Sequence, residues 1–236
     1  MISFIVPAHN EEFELSSTLA AIRAAAADAG KAYEVIVVDD ASTDATPEIA
    51  AQAGAKVVRI NRRQIAAARN AGGRAAQGDY LFFVDADTRI NPAHVIDAIA
   101  AMDAGYAGGS ARVNMDGSIP IWGRILLLGF SSVYFGLNLG AGAFLFTTRR
   151  NFDVVGGFDE QYFAGEEVYF SLALKKLGSF KVLRDPVITS GRKLRMYSAK
   201  HFLRKFFGVI VRGPRGVRSR TKLSLWYDGK REKRSA

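Results

Sequence analysis

Cysteine is absent from this chain of 236 residues, and its absence excludes several kinds of chemistry. Disulfide bonds, thiolate metal sites and a cysteine nucleophile are all ruled out. Histidine is nearly absent as well, with only His9, His94 and His201. These three lie far apart in the sequence and lack the short spacing of a zinc site.

Two further absences concern the N-terminal region. Met1 leads directly into the apolar run ISFIV without the basic segment that begins a secretory signal, so we expect the protein to stay in the cytoplasm. The polar residues after that run, PAHNEE at 7–12, include no glycine. A dinucleotide-binding fold needs a Gly-rich turn at this point, so that fold is set aside.

Acidic residues are scarce near the C-terminus, and the net charge of +9 therefore comes from that part of the chain. Residues 192–236 contain 15 Lys or Arg and 2 acidic residues, whereas residues 1–191 contain 17 and 21. The basicity is therefore a feature of the C-terminal segment. Such a segment can bind nucleic acid, anionic lipid or phosphate groups, or it can be a solvated tail.

The pattern of apolar runs is that of a folded α/β domain, and 49% of the residues are hydrophobic. Runs rich in β-branched or aromatic residues predict four strands, at 2–6, 34–39, 56–60 and 80–85. They lack alternation, which indicates strands covered on both faces of a parallel sheet. Ala-rich patterns predict helices between them, at 12–29, 46–53 and 65–76.

Polar and mostly acidic clusters follow three of these strands, at 7–12, 39–44 and 85–88. Ligands of open α/β sheets bind beyond the carboxyl ends of the strands, so the clusters should converge at one edge. Gathered carboxylates repel one another unless a cation or a hydrogen-bonding ligand lies among them. We therefore interpret Asp85 and Asp87 as a site for Mg²⁺ or Mn²⁺ with a bound phosphate.

Five blocks of sequence carry a family resemblance over roughly residues 2–195. They are FIVPAHNEE, VIVVDDASTDAT, AAARNAGGRAAQGDYLFFVDADT, GGFDE and GEEVYFSLALKKLG. Together they resemble the family 2 glycosyltransferases of GT-A fold. The resemblance implies a three-layer α/β/α domain with a mostly parallel central sheet, a nucleotide-diphosphosugar donor, a divalent metal, and transfer with inversion at the anomeric carbon.

The same resemblance assigns donor-site residues. Asp85 and Asp87 would be the metal-binding DXD pair, with Asp87 the more direct ligand. Asp40 would contact the base, and Arg69 would lie near the base or the phosphates. The nucleoside pocket would be lined by Pro7, Ala8, Asn10 and Glu11.

An inverting transfer also needs a base for the proton of the acceptor hydroxyl. In the family it comes from a Glu-Asp pair at a helix start, and here Glu166 and Glu167 occupy those places, with Glu167 replacing the aspartate. Alternatively, both glutamates merely favour a helix N-terminus. The block that contains Gly157, Phe158 and Asp159 resembles the acceptor-side loop of the family. The backbone of Gly157 would approach a sugar, and Phe158 would stack on the acceptor or fill the core. Asp159 would help to shape the acceptor site.

A basic run near the end of the resemblance, TSGRKLRMYS at 189–198, follows the last predicted strand. One subset of the family carries a similar Thr-Ser-x-Arg-Arg run. Arg192 would then clamp the diphosphate as part of a closing loop. A basic surface turn is the alternative.

Two apolar segments are candidates for membrane contact. Residues 125–146 are uncharged and long enough to span a bilayer, but they contain four glycines, and a span here would separate Asp87 from Glu167. We therefore expect no span. Segments 121–137 and 200–222 instead suit the surface of an anionic membrane, or they form core or dimer-interface helices.

We predict a GT-A domain at 1–198, with a nucleotide-sugar half at about 1–90 and an acceptor half at about 91–198. A basic amphipathic extension follows at 199–236. The enzyme would act at the inner face of the cytoplasmic membrane on a UDP-linked donor and a carbohydrate or lipid-linked acceptor, and no nucleic-acid partner is expected. Three alternatives stay open: a sugar nucleotidyltransferase, a nucleic-acid-binding protein acting through its C-terminus, and an inactive relative.

Overall fold

One eight-stranded sheet organises the protein in a computed structural model that describes residues 1–204, 216–218 and 223. The strands are β1 Ile2–Ala8, β2 Tyr33–Asp40, β3 Lys56–Ile60, β4 Tyr80–Val84, β5 Thr88–Arg89, β6 Gly108–Met115, β7 Phe144–Thr148 and β8 Phe180–Thr189. The helices are α1 Leu15–Asp28, α2 Thr46–Gln52, α3 Ile65–Ala75, α4 Pro92–Asp103, α5 Ile121–Gly136, α6 Arg149–Val155, α7 Glu166–Lys175 and α8 Arg192–Met196.

The strand order is β3-β2-β1-β4-β7-β6-β8-β5, and most of the neighbouring pairs are parallel. β7 runs antiparallel to both β4 and β6 and so joins the N-terminal parallel strands to the C-terminal part of the sheet. The four strands and three helices predicted for residues 1–90 are all present, with ends shifted by a few residues. The sheet is mostly parallel, as predicted.

Apolar side chains cover both faces of the sheet, which gives the three-layer arrangement. In β1, Phe4 and Val6 face the cluster built with α1 and α4, whereas Ile5 faces the cluster built with α3, α6 and α7. All three side chains are fully buried. A strand covered on both faces needs no polar side, which explains the missing alternation in the sequence.

The carboxyl ends of β1, β2 and β4 lie at one edge of the sheet because these strands are parallel neighbours. α3 packs on this part of the sheet through a close backbone approach at Gly72. A Cβ there would lie 2.3 Å from Cγ2 of Ile5 and 2.9 Å from Cγ2 of Val38. This approach fixes the position of α3, which carries a central residue of the site described below.

Helix α5 contains the first part of the uncharged segment 125–146. It covers Ile121–Gly136, and the chain then returns to the sheet through β7. Among the described residues, none of the helices is both long enough and apolar enough to cross a membrane. Most of the segment 200–222 lies outside the described residues.

Gly72→Ala tests the packing of α3. We expect it to lower the free energy of unfolding by about 1–3 kcal/mol, because the added methyl group overpacks the core at Ile5 and Val38. The control is Gly129→Ala in α5, where a Cβ meets nothing within 4 Å, and where alanine should raise helix stability by up to about 1 kcal/mol. Urea denaturation monitored by circular dichroism measures both; equal effects would contradict the packing argument.

Candidate active site

A cavity of about 380 Å³ opens at the sheet edge where β1, β2 and β4 end. Of the residues predicted from the sequence, ten line it: Pro7, Ala8, Glu11, Asp40, Arg69, Asp85, Asp87, Glu166, Glu167 and Arg192. The fold thus brings donor-side and acceptor-side candidates together although more than 150 residues separate the first from the last. Four other predicted residues, Asn10, Gly157, Phe158 and Asp159, are not part of the cavity wall.

Arg69 is the central cation of this site, and its side chain is only 1% exposed. Its Nη1 donates to Oε1 of Glu166 at 2.7 Å, and its Nη2 donates to Oδ1 of Asp85 at 2.9 Å and to the carbonyl of Gly142 at 2.9 Å. One guanidinium therefore links the end of β4 to the start of α7. Burial raises the pKa of Asp85 even though Arg69 opposes that rise.

Arg192 at the start of α8 is the second cation in the cavity. It binds the Glu11 carboxylate with two bonds of 2.6 and 2.7 Å, and its Nη2 lies 3.2 Å from Oδ2 of Asp87. Such a bidentate pair fixes orientation as well as charge. The buried Nε of Arg192 has no hydrogen-bond partner within the described part of the chain.

Glu166 and Glu167 begin α7 but have different surroundings. Glu166 is 3% exposed and is held by Arg69. Glu167 borders the cavity, and desolvation, followed by repulsion from Glu166, raises its pKa to about 8. Both carboxyls border the cavity, but that of Glu166 is held by Arg69, whereas Glu167 has a pKa suited to proton transfer near neutral pH.

Tyr134 in α5 also contacts Glu167, and no motif in the sequence points to this contact. Its hydroxyl donates to the Gly140 carbonyl at 2.9 Å and lies 3.4 Å from Oε1 of Glu167. Burial and the neighbouring Glu167 raise the pKa of this phenol. The two residues are 33 positions apart in the sequence. A single tyrosine in an apolar helix does not indicate which distant residue its hydroxyl contacts.

Asp40 has a structural task that the family resemblance did not suggest. Its Oδ1 accepts from the backbone N–H groups of Arg62 and Arg63 at 2.7 Å each, and its Oδ2 accepts from that of Gln64 at 2.7 Å. The carboxylate thereby holds the loop before α3 against the end of β2. Contact between Asp40 and a base stays a prediction.

The loop GGFDE lies beside the cavity, bound to α3 through Asn70. Phe158 donates its N–H to Oδ1 of Asn70 at 2.8 Å, and Nδ2 of Asn70 donates back to the Phe158 carbonyl at 2.8 Å. The Phe158 ring is 2% exposed and stacks on Phe170 with centroids 4.0 Å apart, so it lies in the core. Gly157 adopts φ +77°, and a Cβ there would lie 2.5 Å from Oδ1 of Asn70. The acceptor role of Gly157 and Asp159 stays a prediction.

Asn10 follows β1 with a positive φ of 53°. Its side-chain oxygen accepts from the backbone N–H of Thr43 at 2.8 Å, and its own N–H donates to the Ser42 hydroxyl at 3.0 Å. These bonds tie the polar clusters after β1 and β2 to each other. Asn10 thus shapes the loop, and its predicted place in a nucleoside pocket stays untested.

A divalent cation fits the charges of this site. The four carboxylates of Glu11, Asp85, Asp87 and Glu166 outnumber the two guanidinium groups that pair with them, and hard oxygen ligands of this kind suit Mg²⁺ or Mn²⁺. Among the described residues, no set of three or more His, Cys, Asp or Glu side chains forms a closed metal site. Asp87 and Asp85 would therefore hold the ion together with oxygens of a bound ligand.

Part of the C-terminal extension packs near the site. The backbone N–H of Phe163, a cavity residue, donates to the carbonyl of Val217 at 2.8 Å. Arg218 donates to the hydroxyl of Tyr162 at 3.0 Å. The described residues 216–218 thus support the loop that leads into α7.

Comparison with known sequences gives a family match and partial relatives. The pattern of the family described as Glycosyl transferase family 2 matches residues 3–154. The succinoglycan biosynthesis protein ExoO of Rhizobium meliloti (strain 1021) is 30% identical over 203 residues, which are 81% of this chain and 57% of the relative. An undecaprenyl-phosphate 4-deoxy-4-formamido-L-arabinose transferase of Edwardsiella ictaluri (strain 93-146) is 34% identical over 113 residues, 44% of this chain and 34% of the relative. The chain thus spans between a third and three fifths of these two relatives.

Comparison with solved structures gives the fold. Glucosyl-3-phosphoglycerate synthase from Mycobacterium tuberculosis, in complex with Mn²⁺, UDP and glucosyl-3-phosphoglycerate, aligns with a TM-score of 0.64 at 20% identity, covering 97% of this chain and 80% of that one. S. aureus TarS 1-349 in complex with UDP-GlcNAc aligns with a TM-score of 0.62 at 22% identity, covering 81% and 58%. These similarities confirm the predicted GT-A fold.

Arg69→Gln tests the central ion-pair network. The buried Glu166 and the partly buried Asp85 lose their cation, so we expect the free energy of unfolding at pH 7 to fall by about 3–5 kcal/mol. The control is Arg62→Gln, whose side chain is 64% exposed and lies 3.5 Å from Glu160, and which should change stability by less than about 1 kcal/mol. Chemical denaturation compares the two variants, and an equally small loss in both would disprove a central role for Arg69.

Glu167→Gln tests the raised pKa of Glu167. The ordinary pKa of a glutamate is 4.5, and that of Glu167 in the folded protein is about 8. Between these two pH values the folded carboxyl keeps a proton that the unfolded chain has lost. The wild type therefore loses stability as the pH rises through this window. Glutamine cannot ionise. The variant should therefore gain several degrees in melting temperature over the wild type at pH 9, relative to pH 4.

Differential scanning calorimetry at the two pH values measures this gain. The control is Glu48→Gln on α2, because the side chain of Glu48 is exposed to solvent. A Glu167→Gln difference that is the same at both pH values would show that the carboxyl titrates normally.

Proposed function

Because the chain belongs to glycosyl transferase family 2, we propose that this glycosyltransferase moves a sugar, with inversion, from a nucleotide-diphosphosugar to an acceptor hydroxyl. The observation that carries the proposal is the shared cavity of Asp85, Asp87 and Glu167. Donor activation and proton removal need separate groups on either side of one reacting carbon, and this cavity supplies both.

The donor would lie at the sheet edge with its diphosphate near Asp87. A divalent ion held by Asp87 and Asp85 would neutralise the charge that develops on the leaving diphosphate. The donor base is expected to be uracil, since two structural neighbours were solved with UDP or UDP-GlcNAc. A third, the mannosyltransferase PcManGT from Pyrobaculum calidifontis, was solved with GDP-Man and Mn²⁺, so guanine is the second candidate.

Glu167 is proposed as the base. The acceptor oxygen attacks the anomeric carbon as the bond between that carbon and the diphosphate oxygen breaks, and its electron pair leaves with the nucleoside diphosphate. The acceptor proton passes to the Glu167 carboxylate. Glu166 is the weaker candidate because Arg69 holds its carboxylate at 2.7 Å. Arg69 keeps α7, and with it Glu167, in place relative to Asp85.

Arg192 is proposed to serve the diphosphate. In this structure it pairs with Glu11 and Asp87. With a donor bound, Arg192 would exchange its contact with Asp87 for the phosphate oxygens, and its Nε has no hydrogen-bond partner within the described part of the chain. Such an exchange is consistent with the predicted closing loop.

The acceptor is proposed to be a lipid-linked or cell-envelope glycan at the inner face of the cytoplasmic membrane. The names of two relatives support this: one acts in succinoglycan biosynthesis, and the other is a transferase named for undecaprenyl phosphate. The basic C-terminal segment supports peripheral contact with anionic lipid.

Isothermal titration calorimetry tests the donor site. The purified chain is titrated with UDP, GDP and dTDP, each in Mn²⁺ and in EDTA. We expect metal-dependent binding of UDP. If a folded protein bound none of the three nucleotides in Mn²⁺, the donor site proposed here would be wrong.

Two variants then separate the proposed roles. Asp87→Ala should remove metal-dependent nucleotide binding, whereas Glu167→Gln should bind nucleotide as the wild type does and lose transfer by at least about 100-fold. The exposed Asp97→Ala on α4 is the control for both. Normal metal-dependent affinity in Asp87→Ala would reject the metal assignment, and normal transfer in Glu167→Gln would reject the base.

A further inference from the structure

Helix α5 presents an exposed apolar stripe. Ile121 is 77% exposed, Ile125 66% and Leu128 70%, the three highest values among the large apolar side chains that the structure describes. The spacing i, i+4, i+7 places all three on one face of the helix. Single exposed apolar residues are ordinary, but a contiguous row on one helix face indicates a surface that binds something apolar.

Acidic residues are missing around this stripe. The sequence contains none from Gly117 to Phe152, a region that includes all of α5, and the exposed Arg124 lies one turn from Ile121. A second acid-free region runs from Pro186 to Tyr227 and contains 11 Lys or Arg residues. An apolar row within a positively charged region complements a surface that is apolar inside and anionic outside.

The basic region begins directly beside α5. The rings of Trp122 and Phe202 have centroids 5.7 Å apart, which places the helical residues 199–204 against the N-terminal part of α5. Lys200 and Arg204, on either side of Phe202, are exposed. The N-terminal part of α5, which carries the apolar stripe, and the start of the cationic segment are therefore in contact.

We propose that this surface, the exposed face of α5 together with residues 199–204, docks on an anionic lipid bilayer. Ile121, Ile125 and Leu128 would enter the interface, and Arg124, Lys200 and Arg204 would meet the lipid phosphates. A second copy of the chain is a poorer occupant, because docking two such faces would bring their cationic segments together. The inference deepens the proposed membrane location by naming the surface that makes the contact.

The docking surface is connected to the proposed base by a single helix. Leu128 faces outward, and Tyr134 near the other end of α5 reaches Oε1 of Glu167 at 3.4 Å. The lipid-facing and cavity-facing parts of α5 are fewer than two turns apart at these residues.

Vesicle flotation with the full chain tests the proposal. We expect binding to phosphatidylcholine vesicles that contain phosphatidylglycerol, weaker binding to phosphatidylcholine alone, and weaker binding at high salt. The double substitution Ile125→Glu/Leu128→Glu should reduce binding to the anionic vesicles at least about tenfold. The control, Ile96→Glu/Val154→Glu, changes residues that are 48% and 63% exposed on α4 and α6 and should bind as the wild type does.

A second measurement locates the contact directly. Because the chain has no cysteine, Leu128→Cys and Ile96→Cys each accept one environment-sensitive fluorophore at a known position. On addition of anionic vesicles, the probe at 128 should shift to shorter wavelength and be quenched by brominated lipid. The probe at 96 should do neither.

The outcomes separate this inference from the proposed transfer reaction. Wild-type vesicle binding by Ile125→Glu/Leu128→Glu, with a silent probe at 128, would overturn the docking surface and leave binding to the basic tail alone. A dimer that this double variant converts to a monomer, with vesicle binding unchanged, would also overturn it in favour of a second copy. Nucleotide binding is measured by calorimetry on the same proteins. Either of these results would therefore reject the docking surface without affecting the conclusion about the donor site.

Discussion

The site depends on one buried guanidinium. Arg69 joins the carboxylate that ends β4 to the carboxylate that begins α7, and it also binds the carbonyl of Gly142. A buried charge is tolerated only where partners surround it, so the strand end, the helix start and the loop must keep their positions for Arg69 to remain inside the protein. The ion pairs of Arg69 with Asp85 and Glu166 therefore both hold the centre of the site together and determine its charge.

Local patterns were sufficient to predict the frame of the fold. The runs at 2–6 and 80–85 are short, apolar and rich in β-branched or aromatic residues, and both are strands covered on two faces. Parallel pairing of β1 with β2 and β4 then brought Glu11, Asp40 and Asp85 to one edge, as the rule for strand ends requires. The family resemblance placed Glu166 and Glu167 at a helix start, where the structure has them.

Contacts between distant segments could not be read in this way. Arg69 and Glu166 are 97 residues apart, and nothing in either neighbourhood indicates that they pair. Phe158 looked equally suited to an acceptor or to the core, and only the packing against Phe170 distinguishes the two. The exposure of Ile125 and Leu128 was hidden for a similar reason, since α5 is apolar nearly all round in sequence and only tertiary structure shows which side is exposed.

The anchoring of the loop before α3 has a consequence for how such an enzyme can diversify. Asp40 holds Arg62, Arg63 and Gln64 through their backbone N–H groups alone, and every residue except proline supplies that donor. These hydrogen bonds therefore do not depend on which side chains stand at 62 and 63, although the left-handed backbone of Arg63, at φ +50°, disfavours β-branched residues there. Selection can exchange the side chain at 63, which lines the cavity, and so change the chemistry of that wall while the carboxylate continues to fix the path of the chain.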